Sequence, residues 1–136
     1  MLRKNDVIEL EITAITNEGN GVGRSQEGVA VFVPLSAPGD RLKVIVVKVL
    51  ANYCYGKILE VLEPGGGRIS PDCPVFGRCG GCTLRHLSYE EELAQKQEWV
   101  RQNLLRIGGI DLPLPPVLAS PRSQRYRNKV QLPLGY

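Results

Sequence analysis

The sequence has 136 residues, with 17 Lys and Arg against 14 Asp and Glu, and its formal net charge is +3. Hydrophobic residues make up 43% and charged residues 23%, which are the proportions of a globular domain and exclude wholesale disorder. The longest apolar run, at 29–33, is too short to span a membrane, and residues 1–6 lack the apolar core of a signal peptide. We therefore expect a cytoplasmic protein whose four cysteines are reduced thiols.

Residues 1–64 predict a small β-barrel. Between Asp6 and Ile15, apolar residues alternate with Glu and Thr, which is the period of a half-buried strand. Four further apolar segments lie between turns rich in Gly, Asn and Pro, at 22–24, 29–33, 41–50 and 53–62. Five short strands in about sixty residues indicate a mainly β fold built on an OB-like barrel.

OB-like barrels often bind single-stranded nucleic acid through basic and aromatic residues on one face. The candidates in this barrel are Arg24, Phe32, Lys43, Tyr53, Tyr55 and Lys57. Taken singly, each of these residues fits an ordinary surface or core position better than a ligand contact. Cys54 lies between two tyrosines inside a predicted strand, and we expect it to be a buried structural thiol.

Residues 65–87 contain a cysteine pattern that predicts a metal site. Cys73, Cys79 and Cys82 form a C-x5-C-x2-C run, and the Pro and Gly residues between them let a loop close around an ion. Thiolates are preferred ligands of zinc and of iron–sulfur clusters. Zinc would take His86 as its fourth ligand, whereas a cluster normally takes four thiolates and would need one from elsewhere. The spacing leaves both metals open.

A helix is predicted over 88–109. Ser88 and Glu91 fit a capping box, acidic residues occupy the first turn, and a Gly-Gly pair ends the helix. Four apolar residues recur at helical spacing, and we expect this stripe to pack against the core. They are Leu93, Val100, Leu104 and Ile107.

Residues 110–136 begin as an extended Pro-rich linker, and the net positive charge of the sequence lies in residues 99–136. Four cations fall close together, at Arg122, Arg125, Arg127 and Lys129. A cluster of this kind attracts the phosphates of nucleic acids. Residues 126–133 predict a strand that would begin a central α+β domain. Since a lone strand has no sheet to join, we expect the chain to be truncated there.

The cysteine loop, its continuation through 86–89 and the Tyr-Arg-Asn-Lys of 126–129 together resemble the bacterial (uracil-5-)-methyltransferases of large-subunit ribosomal RNA. Members of that family have an N-terminal TRAM barrel, a [4Fe–4S] cluster, a central RNA-contacting domain and an S-adenosylmethionine-binding catalytic domain. The resemblance covers the whole chain in that order. It implies that Cys73, Cys79 and Cys82 are cluster ligands, with zinc and His86 as the alternative. It also implies that Arg127 and Lys129 lie near RNA.

In this family a thiolate adds to C6 of a flipped-out uracil, C5 takes the methyl group, and a carboxylate removes the C5 proton. None of the present cysteines lies in the matching motif, and the methyl-donor loop and general-base glutamate have no counterpart. We therefore expect a chain that binds RNA, ribosomal by resemblance, and that is inactive without a catalytic domain. The alternative is a stand-alone TRAM-type RNA-binding module with a structural zinc site and no catalysis.

Overall fold

The five predicted strands form a closed barrel in the computed structural model, which describes residues 1–132 and 134–135. The strands are β1 (Val7–Ile15), β2 (Asn20–Arg24), β3 (Ala30–Pro34), β4 (Arg41–Val49) and β5 (Tyr53–Glu63). They follow one another around the barrel as β1-β2-β3-β5-β4, and pairing of β4 with β1 closes it. β3 and β5 are parallel, and the other pairs are antiparallel. The predicted mainly β, OB-like fold is confirmed.

The barrel core is aliphatic. Strand alternation turns every second side chain inward, so Glu, Lys and Thr lie on the outside. The inward side chains are at most 2% exposed, and they are Leu10, Ile12, Val31, Val33, Leu42, Val44, Val46 and Cys54. The prediction that Cys54 is a buried thiol is therefore confirmed.

A second, smaller core joins one end of the barrel to the residues that follow it. Ile15 at the end of β1, Ala37 in the β3–β4 turn, and Leu87 are each at most 3% exposed. Leu84 and Trp99 pack against them. Because Leu87 follows the cysteines and Trp99 lies in helix α1 (Tyr89–Arg106), this core unites three parts of the sequence.

Helix α1 begins at a capped residue, as predicted, although half of the cap differs. The Ser88 hydroxyl oxygen accepts a hydrogen bond from the Glu91 backbone N–H at 3.2 Å. The Ser88 N–H donates to the Gly67 carbonyl oxygen at 2.8 Å, and the Glu91 carboxylate accepts from Gln95. The reason is a backbone bridge between Arg68 and Leu87, which brings the earlier loop beside the helix start.

The prediction that the apolar stripe of α1 packs in the core is wrong. No residue of α1 is buried, Val100 is 51% exposed, and Ile107 is 84% exposed. The strands of the closed barrel already cover the barrel core. The helix therefore packs only on the small second core, which it contacts through Trp99. Within the described ranges, no helix has the length and apolar character needed to cross a membrane.

Residues 110–132 form neither strand nor helix. They run back along α1, because Gln97 donates to the Leu114 carbonyl oxygen at 3.0 Å and the Ser120 N–H donates to the Tyr89 hydroxyl at 2.8 Å. The predicted strand is wrong for 126–132, since none of the described strands lies beside this segment to complete its backbone hydrogen bonds. Its last residue, Pro133, lies outside the described residues.

Candidate functional site

The three cysteines of the loop lie around one small pocket. Cys73, Cys79 and Cys82 line a cavity of about 30 Å³ together with Phe76, Gly77 and Gly80. The Cys73 side chain is half-buried and the other two are exposed. The loop therefore brings the three candidate thiols to a single place that solvent can reach.

Tight turns explain how the loop returns upon itself. The Phe76 N–H donates to the Cys73 carbonyl oxygen at 3.2 Å, and the Cys79 N–H donates to the Val75 carbonyl oxygen at 3.0 Å. Gly77 has a φ of +83°, which residues with side chains rarely adopt, and it lies close against Leu35 of the barrel. These turns carry Cys79 back toward Cys73.

An ion pair closes the loop from outside. The guanidinium of Arg85 donates to both carboxylate oxygens of Asp72, at 2.7 and 3.0 Å. Asp72 immediately precedes Cys73, and Arg85 follows Cys82 by three residues, so the pair joins the two ends of the cysteine run. The hydrogen bonds from Arg85 lower the pKa of Asp72. Asp72 and, to a smaller extent, the nearby Cys82 thiol raise the pKa of Arg85. Arg85 is therefore a cation that lies beside a candidate metal ligand.

His86, the alternative zinc ligand, is not among the residues that line the cysteine pocket. It is 1% exposed, and its Nε2 lies 2.8 Å from the Ser36 carbonyl oxygen. Since a carbonyl only accepts, this nitrogen carries the proton and donates. Its ring lies beside Phe76, with centroids 5.6 Å apart, and burial lowers the pKa of the imidazole. The other ring nitrogen, Nδ1, is buried and has no hydrogen-bond partner among the described residues.

The two candidate metals require different arrangements of their ligands. Among residues 1–132 and 134–135, no three Cys, His, Asp or Glu side chains converge closely enough to hold one metal ion. A zinc ion needs all its ligands about 2.0–2.3 Å from one centre. In an iron–sulfur cluster each cysteine binds its own iron, so the thiolates surround a larger cage.

A buried ion pair fixes the start of the cysteine loop to the barrel. Arg68 donates to Asp40 through Nε at 2.9 Å and through Nη2 at 2.6 Å, and the Asp40 side chain is fully buried. The N–H groups of Ala37 and Gly65 also donate to this carboxylate. Burial on its own would raise the pKa of Asp40, but the hydrogen bonds from Arg68 and the two amides outweigh it and lower the pKa. No local sequence pattern marks this pair, because its two residues are 28 positions apart.

The predicted basic cluster lies beside the cysteine loop. Its four side chains are exposed, at Arg122, Arg125, Arg127 and Lys129. The Arg127 guanidinium donates to the Gly81 carbonyl oxygen at 3.3 Å, one residue from Cys82. The structure thus brings the candidate RNA-binding segment and the candidate metal ligands together.

The two barrel lysines that were candidates for RNA contacts lie in different surroundings. Lys43 on β4 stands opposite Glu9 on β1 and Glu60 on β5, so carboxylates flank it on both sides. Lys57 stands opposite the apolar Ile45. Lys43 therefore has more acidic neighbours on the adjacent strands than Lys57 has.

Comparison with known proteins gives a domain and a set of relatives. Residues 2–59 match the TRAM domain. A protein named uncharacterized RNA methyltransferase from Synechocystis is 47% identical over 98% of this chain and 29% of its own length. Proteins of the same name from Halalkalibacterium halodurans and Chlorobaculum tepidum are 43% and 44% identical over 98% and 95% of this chain, and over 29% and 27% of their own lengths. The chain thus spans less than a third of these relatives.

Two solved structures are similar to parts of the molecule. A tRNA (uracil-54, C5)-methyltransferase from Pyrococcus abyssi aligns with 83% of this chain and 24% of its own, at 28% identity and a TM-score of 0.44. A conserved protein from Methanococcus maripaludis aligns with 43% of this chain and 83% of its own, at 24% identity and a TM-score of 0.41. The chain therefore contains a TRAM domain and is similar, over nearly its full sequence, to proteins named RNA methyltransferases.

Proposed function

We propose that this chain is the RNA-binding and iron–sulfur part of an S-adenosylmethionine-dependent (uracil-5-)-methyltransferase that makes 5-methyluridine in ribosomal RNA in the cytoplasm. The TRAM domain and the named relatives support the RNA methyltransferase family. The observation that carries the finer proposal is the pocket of three thiols with Arg127 beside it. The choice of uracil and of ribosomal RNA rests on the sequence resemblance of the cysteine loop and of residues 126–129.

The residues present fit a [4Fe–4S] cluster. Cys73, Cys79 and Cys82 would each supply a thiolate, and the glycines of the loop leave room close to the sulfurs. Cys54 is excluded as the fourth ligand because it lies in the barrel core. When bound, the cluster would cross-link the loop, a structural role that needs no electron transfer.

RNA would be held mainly through its phosphates by the exposed basic segment. Arg122, Arg125, Arg127 and Lys129 lie on a stretch without regular structure, so their side chains are free to follow a phosphate backbone. Because Arg127 contacts the cysteine loop, a folded loop would hold this segment in a defined place. The metal site and the RNA site would then depend on each other.

The proposal is tested by measuring the affinity of the full chain for RNA. Large-subunit ribosomal RNA fragments and transfer RNA are titrated at the same salt concentration. We expect binding that weakens as salt rises, with the higher affinity for ribosomal RNA. Equal affinity for both would contradict the ribosomal assignment, and absence of RNA binding would contradict the proposal as a whole.

Transfer of the methyl group is not expected from this chain by itself. Of its four cysteines, Cys54 is buried and the other three line the metal pocket, so none is available as the nucleophile that attacks a uracil. Incubating the purified chain with RNA and labelled S-adenosylmethionine should leave the RNA unlabelled. Labelled 5-methyluridine in the RNA would show that this chain transfers the methyl group by itself.

A further inference from the structure

Two of the loop cysteines are both exposed and close together in the sequence. Cys79 and Cys82 are exposed free thiols, whereas the Cys73 side chain is half-buried. Two glycines separate the exposed pair, which makes it a C-x2-C sequence. Accessible thiols at this spacing can be oxidised to a disulfide and reduced again. The pair can therefore take part in redox chemistry as well as in metal binding.

The backbone between the two thiols is free to bring their side chains together. Gly80 has a φ of +73°, a left-handed conformation, and a Cβ atom there would have no neighbour within 4 Å among the described residues. The Cys79 sulfur lies 3.4 Å from the Cβ position of Gly81, the residue that precedes Cys82. A disulfide needs Cβ atoms about 3.5–4.5 Å apart. Two glycines can supply the backbone adjustment that this distance requires.

Cys73 is the competing partner, because it lines the same pocket of about 30 Å³. Its backbone, however, is held on both sides. The preceding residue, Asp72, accepts hydrogen bonds from Arg85 at 2.7 and 3.0 Å. The Cys73 carbonyl oxygen accepts a further hydrogen bond from the Phe76 N–H at 3.2 Å. The two exposed thiols are therefore freer to approach each other than Cys73 is to approach either of them.

We infer that Cys79 and Cys82 form a reversible disulfide when no metal is bound, and that this disulfide prevents the loop from binding a metal. Thiolates bind metals, whereas the two sulfurs of a disulfide are bonded to each other. Reducing compartments make such disulfides transient, and transient disulfides are suited to sensing oxidation. The disulfide itself needs no metal, but its effect on metal binding rests on the metal site of the proposed function.

The oxidant in this reaction is a small disulfide, for which oxidised glutathione is the probe. One of the two cysteines, as a thiolate, attacks a sulfur of oxidised glutathione and releases one glutathione thiolate. The other cysteine attacks the protein sulfur of this mixed disulfide, which forms the Cys79–Cys82 bond and releases the second glutathione thiolate. The protein loses two electrons and two protons, and oxidised glutathione gains them to become reduced glutathione.

Peptide mapping of the full chain tests the disulfide without any substitution. The metal-free chain is equilibrated with reduced and oxidised glutathione, its remaining thiols are alkylated, and it is digested with trypsin. Trypsin cuts after Arg78 and Arg85, so both exposed thiols lie in the peptide 79–85. Cys73 lies in the peptide before it.

We expect the peptide 79–85 to carry no alkyl group and to be lighter than its dithiol form by the mass of two hydrogen atoms. Cys73 should be alkylated. Alkylation of both thiols of 79–85 in oxidised glutathione would overturn the inference, and so would a disulfide between the two peptides.

Two serine variants check the pairing. Cys73→Ser should form the disulfide to within about twofold of the wild-type amount at the same glutathione ratio. Cys82→Ser should instead keep Cys79 as a mixed disulfide with glutathione, because the second attacking thiol is absent. Loss of the disulfide in Cys73→Ser would show that the pairing is wrong.

Exclusion of the metal is tested on protein purified without oxygen, before and after its iron is removed with a chelator. Both samples are treated with oxidised glutathione, and we expect the disulfide to form at least about tenfold more slowly in the iron-loaded sample. Equal rates would overturn the exclusion. If the purified protein holds no metal, the proposed cluster fails and the exclusion fails with it, whereas the peptide map still decides whether the disulfide forms.

Discussion

The indole nitrogen of Trp99 donates a hydrogen bond to the carbonyl oxygen of Ile15 at 2.6 Å, across 84 residues of sequence. Ile15 ends β1, and Trp99 lies in the middle of α1, so this contact joins the barrel to the helix. Ala37 and Leu87 complete the small core around it. The barrel, the loop and the helix therefore pack together through side chains of the protein itself. We expect a bound cluster to stabilise the cysteine loop more than the joint between barrel and helix.

Substitutions of Trp99 test this contact between the barrel and the helix. Trp99→Phe keeps an aromatic ring but loses the hydrogen bond to Ile15, so the free energy of unfolding should fall by about 1 kcal/mol. Trp99→Ala also leaves a cavity and should lower it by about 3 kcal/mol. Urea denaturation followed by circular dichroism measures both. The neighbouring Val100 is 51% exposed, so Val100→Ala should change stability by less than about 0.5 kcal/mol. Equal losses at 99 and 100 would show that the helix is not anchored through Trp99.

Removing the cation of the buried ion pair should lower the free energy of unfolding by more than Trp99→Phe does. Arg68→Met leaves the Asp40 carboxylate buried with only two backbone amides as partners, and we expect a loss of about 3 kcal/mol. Arg41→Met is the control, because Arg41 is 51% exposed and pairs with the exposed Glu63. Surface pairs of this kind contribute less than about 1 kcal/mol. If the two variants unfold at the same urea concentration, the Asp40–Arg68 pair does not stabilise the fold as described.

The lowered pKa of Asp40 predicts acid sensitivity of a definite sign. The folded protein favours the charged carboxylate, so its contribution to stability is complete above the ordinary pKa of 3.8. That contribution is lost as the pH falls further, through the lower pKa of the folded state. Denaturation curves between about pH 5 and pH 2 should therefore show a steeper loss for the wild type than for Asp40→Asn. Glu18 is exposed, so Glu18→Gln should lose stability with falling pH as the wild type does. If the stability of the wild type falls in parallel with that of Asp40→Asn, the prediction is wrong.

Salt dependence tests the basic segment as a phosphate-binding element. The double variant Arg125→Ala, Arg127→Ala removes two exposed cations, and the logarithmic slope of RNA affinity against salt should become shallower by about 1.4. Lys43→Ala removes one cation that carboxylates already flank, so its slope should match the wild type. An unchanged slope in the double variant would place the phosphate contacts elsewhere on the molecule.

The barrel and the convergence of the three loop cysteines on one pocket could be predicted because both depend on local patterns. Alternation of apolar and polar residues in a strand is visible within ten residues, and the spacing of Cys73, Cys79 and Cys82 shows that a loop can bring them together. Cys54 was assigned correctly for the same reason, since it holds an inward position in its strand. The resemblance to RNA methyltransferases is confirmed by relatives that match the whole chain.

Contacts between distant residues could not be predicted in this way. The residues of the pairs Asp40–Arg68 and Ile15–Trp99 are 28 and 84 positions apart in the sequence. The local sequence around each residue does not indicate which residue it will contact. Helical periodicity identified an apolar stripe on α1, but periodicity does not show whether a surface exists to cover it. The predicted strand at 126–132 failed for a similar reason, because a strand requires a partner and local sequence does not supply one.

The central claim is that Cys73, Cys79 and Cys82 hold an iron–sulfur cluster, and it is tested most directly by metal analysis of protein purified without oxygen. We expect iron and acid-labile sulfide in equal amounts, a brown colour that fades in air, and loss of both elements in the triple Ser variant. Cys54→Ala should retain them, because this thiol lies in the barrel core. Zinc in place of iron, or neither metal after reconstitution with iron and sulfide, would contradict the account.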